Sequence, residues 1–182
     1  MAITDNKVRD VDNGYRSLVR KMKALGLNRA KIDVGIFAEE GAKEHPTPPG
    51  RTFHEAIRLI DVAIVNEFGS NDGHIPSRSY IRAWYDLHYP EMVEDVRAAM
   101  VEYASNARAT PRDFEKSLQR IAQKWVGQIQ ERISDRIDPA NRPRTIQLKG
   151  SDVPLIDGGV LRSSITYRTD IDGRKVKGPV HE

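Results

Sequence analysis

The chain has 182 residues, 38% apolar and 30% charged, with a formal net charge of +3. That allows one domain with a modest core and much charged surface, or a subunit whose extended parts are covered by neighbours. Cysteine is absent, which excludes disulfides, thiolate zinc sites and cysteine nucleophiles.

The opening MAITDNKVRD has no apolar core of the kind a secretory signal needs, so a cytoplasmic protein, or one released by lysis, is expected. The first helix is predicted over 14–25, where Tyr15, Leu18, Val19, Met22 and Leu25 share one face and Gly26 closes the turn. In KIDVGIF, Ile32, Val34 and Ile36 alternate with polar or small residues, the period of a half-buried strand. Residues 38–51 read as an extended loop, because Pro46, Pro48, Pro49 and Gly50 forbid regular structure. Thr52 and Glu55 have capping-box spacing and open a helix to Phe68. Its stripe is Phe53, Ala56, Ile57, Ile60, Ala63, Ile64 and Phe68, and Gly69 ends it.

After the loop SNDGHIPS, a long helical region is predicted over 78–105. Ile81, Trp84, Tyr85, Met92, Val96, Met100 and Tyr103 form the stripe, with a break or kink near Tyr89 because Pro90 removes a backbone donor. Thr110 and Pro111 start another helix, with Phe114, Leu118, Ile121, Trp125, Ile129 and Ile133 at steps of four and three. Asp138-Pro139 stops it. Residues 139–153 read as a linker or arm. Asp157-Gly158-Gly159 opens a short turn through Leu161 that Asp157 caps. SSITYRT and GRKVKG read as the strands of a hairpin around DIDG. The whole predicts one α+β domain: a small antiparallel sheet with two or three long helices, its core over about 14–138 and 154–178.

No run of about 18 apolar residues spans a membrane. Catalytic patterns are missing as well. None of the five histidines forms an HxxxH or HExxH pair, and GxSxG, GxxxxGK[ST] and GxGxxG are absent. Asp113, Glu115 and Lys116 loosely resemble a metal-dependent nuclease trio, but acidic residues also favour the first turn of a helix. No cofactor, no metal site and no enzymatic activity are expected. Basic residues gather at both ends, which permits contact with nucleic acid without demanding it.

Two stretches are more specific. VAIVNEFGSNDGHIPSRSYIR carries Glu67, Phe68 and Gly69, then Ile75, Pro76, Arg78 and Arg82. PLIDGGVLRSSITY carries Leu155, Asp157, Gly159, Leu161, Ser164 and Ile165. In this order they resemble the tail-completion, neck or virion-morphogenesis proteins of tailed bacteriophages. That family usually shows EFG…IPARPFLR and LxDTGxLxxSI. Here Ser79 stands at the second proline and Gly158 at the threonine.

The resemblance implies a structural subunit of a virion ring at the head–tail junction or the head-proximal tail end. It implies a homo-oligomer, a hexamer, meeting adjacent connector, stopper or tail-tube proteins. Arg78 and Arg82, one turn apart, form a fork suited either to a neighbour's carboxylates and carbonyls or to pairing within the chain. The 38–51 loop and the segment from Asn141 onward are candidate arms. Arg174, Lys175 and Lys177 are candidates for non-specific contact with DNA passing through a lumen. The rival readings are a DNA-binding protein using the basic N-terminal helix, and a nuclease around Asp113 and Glu115.

Overall fold

The computed structural model describes residues 14–24, 30–45, 57–171 and 173–179. In chain order the elements are α1 (Tyr15–Ala24), β1 (Ala30–Gly35), α2 (Ala38–Gly41), α3 (Leu59–Phe68), α4 (Arg82–Ser105), α5 (Pro111–Ser134), α6 (Pro143–Lys149), α7 (Val160–Ser163), β2 (Thr166–Ile171) and β3 (Arg174–Lys177). This is the α+β arrangement expected: two 24-residue helices over a small antiparallel sheet.

The sheet has the order β1-β2-β3, so the last hairpin supplies the central strand. Val34 faces Tyr167, Ile32 faces Thr169 and Ala30 faces Ile171, while Val176 faces Thr169 on the other side. Residues directly opposite share a face, so these form the apolar side, and α5 packs across it. The opposite side carries Lys31, Asp33, Arg168, Asp170, Lys175 and Lys177. Arg168 and Lys177 stand directly opposite each other there, an unfavourable pairing. Two carboxylates from α2 answer it: Glu39 pairs with Arg168, and buried Glu40 accepts from Lys177 Nζ at 2.6 Å.

Helix α5 follows its sequence closely. Thr110 and Asp113 complete a capping box, Pro111 occupies the first turn, and Phe114, Leu118, Trp125, Ile129 and Ile133 are buried. Helix α4 lies on α5. Asp95 clasps the two, accepting from Trp125 Nε1 at 3.1 Å and Lys124 Nζ at 2.8 Å.

Several expectations need correction. Of the break or kink expected near Tyr89, the break is absent, since helix α4 is continuous through Pro90. The helix expected from Thr52 begins at Leu59, because Arg58 is extended and bridges to Glu44; the Thr52–Glu55 box lies outside the described residues. The buried side of α3 is Leu59, Ala63 and Glu67, leaving Ile64 and Phe68 exposed. The predicted 38–51 loop starts with the one-turn α2, and its residues 46–51 also lie outside the described residues.

The linker read over 139–153 contains α6, with Pro143 in its first turn and Gly150 left-handed at its end. The segment from Asn141 onward is therefore no free arm, since it leads into buried Leu155, Leu161, Ile165 and the central strand. Asp157 does not cap α7; the capping position is Gly159, at φ 76°, with no side-chain bond.

In α1 the expected stripe holds only in part: Leu18 and Val19 are half-buried, and Leu25 lies outside the described residues. Tyr15 and Met22 are exposed while Lys21 is buried. The Lys21 stem lies along apolar surface, and its ammonium donates to the carbonyls of Tyr103 (2.9 Å) and Asn106. Those carbonyls belong to the C-terminal end of α4, where a cation is favoured. Lys21→Ala is expected to free α1 from α4 at a cost of about 1–2 kcal/mol. Limited proteolysis would show cleavage within α1 while α4 and α5 stay protected.

Candidate functional site

The first motif builds a junction between α3 and α4. Helix α4 begins after Ile81 with no side-chain cap of its own at that position, so its first N–H groups need acceptors from elsewhere. Glu67, in the last turn of α3, supplies them. Oε2 accepts from the backbone N–H groups of Tyr80 (2.9 Å) and Ile81 (3.0 Å). Oε1 accepts from Arg82 N (3.1 Å), Arg82 Nε (3.2 Å) and Ser79 Oγ (2.6 Å). Ser79 Oγ in turn accepts from Ala83 N at 3.1 Å.

Burial alone would raise the Glu67 pKa, but the bonds from Ser79, Ile81, Tyr80 and Arg82 outweigh it and hold the carboxyl below its ordinary value. Tyr80, buried beside it, has its phenol pushed well above the ordinary range by burial and then by the Glu67 charge.

The rest of the motif holds the loop that brings these groups together. Gly69 has φ 84° and closes α3 with its N–H on Val65 O at 2.8 Å. Ser70 N donates to Ile75 O, Ser77 Oγ to Glu67 O, and Arg78 N to Asn66 O. Pro76 sits between, half-buried.

Both arginines pair within the chain, Arg78 buried and Arg82 largely exposed. Arg78 is 7% exposed and donates to the carbonyls of Pro139 (2.8 Å) and Ala140 (3.4 Å). Arg82 pairs with Glu67 and lies 4.5 Å over the Phe68 ring. Pairing within the chain, one of the two alternatives, is present at both. Asp157 and Gly159 lie beyond α6, and Leu161 is buried in the main core.

Arg174 reaches Glu115 at 3.9 Å, and Lys177 pairs with Glu40 and Glu39. Lys175 alone of the three basic candidates has no ion pair among the described residues. Asp113 is engaged by Thr110 in the capping box, and Glu115 is turned to Arg174. Among the described residues no group of three or more histidine, aspartate or glutamate side chains could hold a metal ion. No described helix is long and apolar enough to cross a membrane.

A surface that the apolar pattern misassigned lies on α4. The helix buries only Trp84, Ala99 and Tyr103. Tyr85, Tyr89, Val93, Val96 and Met100, at steps of four, four, three and four, form one stripe, and all but half-buried Val96 are exposed. The Tyr85 and Tyr89 rings touch at 5.5 Å. Between this stripe and β1 runs a groove of about 750 Å³, floored by Ile32, Phe114, Leu118 and Trp125. β1 pairs only with β2 among the described residues, so its outer edge is open beside that groove. The other edge strand, β3, carries Arg174, Lys175 and Lys177, charges that discourage strand addition.

No protein-family model, no curated protein and no solved structure matches this chain.

Proposed function

We propose that the chain is a non-catalytic structural subunit of a tailed-phage neck or tail-completion ring, joining head and tail during virion assembly. The observation that carries this reading is the α4 stripe beside the open β1 edge. A long helix with four exposed large apolar residues on one line, next to strand backbone unpaired among the described residues, is a surface made to be covered. The proposed occupant is a second copy. A separate apolar group, Ile64, Phe68 and Ile75, is exposed around the end of α3, and two unlike patches on one subunit suit head-to-tail contact, which closes into rings. The motif resemblance supplies the location and the hexamer; connector, stopper or tail-tube proteins are the proposed neighbours. Electrostatic contact with DNA in the lumen falls to Lys175, because Arg174 and Lys177 are answered by Glu115, Glu39 and Glu40.

Light scattering across a concentration series, with and without head and tail particles, tests this. The expected result is a closed ring, or a monomer that becomes one on particles. The Tyr89→Glu, Val93→Glu double variant should keep its circular dichroism and remain monomeric. A wild-type monomer that ignores both particles would overturn the reading, as would a double variant that assembles normally.

A further inference from the structure

The strongest unassigned feature is a second cavity, of about 570 Å³, lined in part by the α3–α4 loop. That size suits a small-molecule ligand. Its polar lining includes several donors, alongside His45, Asn66, His74 and Thr145. Arg78, more than nine-tenths buried, spends two nitrogens on the Pro139 and Ala140 carbonyls, and its third makes no bond among the described residues. Lys149 Nζ donates to Val153 O (3.2 Å) and Pro154 O (2.9 Å), which leaves one of its three protons unused. Asn141 Nδ2 is buried and finds no partner. Arg142, exposed at the rim, pairs with no carboxylate among the described residues. Against these stands a single lining carboxylate, Asp157.

A buried amide donor without an acceptor costs about 1–3 kcal/mol, and buried Arg78 beside half-buried Lys149 adds to the cost. Burial pulls the Lys149 pKa below its ordinary value; Asp157 opposes that and Arg78 reinforces it. Burial likewise lowers Arg78. One group relieves all of these at once: an oxyanion with several acceptor oxygens. Apolar walls from Pro76, Pro154 and Leu155 leave room for a body attached to it.

We propose that this cavity binds a phosphate-class oxyanion, held by Arg78, Lys149 and the Asn141 amide, with Arg142 guiding it in. The site is independent of the assembly surface on α4 and stands or falls separately from the ring.

Isothermal titration calorimetry on the full chain, with inorganic phosphate and with adenosine monophosphate at constant ionic strength, tests it. Saturable binding in the millimolar range or tighter is expected. Asn141→Asp, nearly isosteric, places a carboxylate where the donor stood and should weaken binding by about tenfold or more. Arg142→Glu, on the exposed rim, serves as the second variant should the first alter folding, and should weaken binding by about threefold or more. Tighter binding of adenosine monophosphate identifies a phosphate ester as the natural ligand class, and equal binding identifies the free anion; both support the site. No heat from either probe with wild type, or undiminished affinity in folded variants, overturns it.

Discussion

Glu67→Ala is expected to lower unfolding free energy by about 3 kcal/mol or more, measured by urea denaturation at neutral pH. Three backbone N–H groups at the start of α4 lose their acceptor together, and Ser79 and Arg82 lose theirs. A single lost helix cap costs about 1 kcal/mol, and here the site is 5% exposed, so water replaces the carboxylate poorly. The pH dependence follows from the direction of the shift. The folded Glu67 pKa lies below its unfolded value. Its contribution is therefore fully present above the unfolded value and is lost as pH falls through the folded one. Glu67→Gln should accordingly be less stable than wild type at neutral pH, and the gap should narrow in acid. A gap that stays constant down to strongly acidic pH would show that Glu67 does not cap α4 as a carboxylate.

The same junction shows what was legible in the sequence. Apolar periodicity located α5 because its side chains at steps of four and three all meet the sheet or α4. It located β1 for the matching reason at period two, and the DIDG turn signal located the final hairpin. It failed in part on α1 because it counts lysine as outward, whereas the Lys21 stem is apolar and its ammonium meets carbonyls 82 and 85 residues away. It ran α3 too early because Phe53, Ala56 and Ile57 keep helical spacing, and spacing cannot register that Arg58 is extended.

Short α6 carried a readable signal in Pro143 and Gly150, a proline start and a glycine stop, which its meagre apolar content masked. Glu67, Gly69, Arg78 and Arg82 stood out by resemblance, but the groups they bond did not. Their partners are mostly backbone N–H and C=O groups, which side-chain patterns do not display. Of the α4 stripe, Tyr85, Val96 and Met100 were legible as apolar spacing and Tyr89 and Val93 were not, and spacing alone does not say whether the cover is the chain's own core or another molecule.

Gly69→Ala is expected to be nearly as damaging as loss of the carboxylate, about 2–3 kcal/mol by the same measurement. Two effects add. The backbone at φ 84° and ψ 167° is a conformation that side chains rarely adopt. An added Cβ would also meet Ser77 N at 3.0 Å and Ile75 O at 3.2 Å, backbone atoms of the returning loop rather than side-chain ends that could swing away. The loop must then move, and it carries Ser79 and Tyr80 with it, so the Glu67 bonds lengthen as well. That shared consequence makes the two substitutions strongly non-additive. Once Glu67 is gone the loop has less to lose, so the double variant should fall well short of the sum of the singles. Full additivity would mean that Gly69 serves only to end α3. A deficit means that the tight turn exists to carry the start of α4 onto the carboxylate, a purpose that joins the glycine, the loop and the acid in one device.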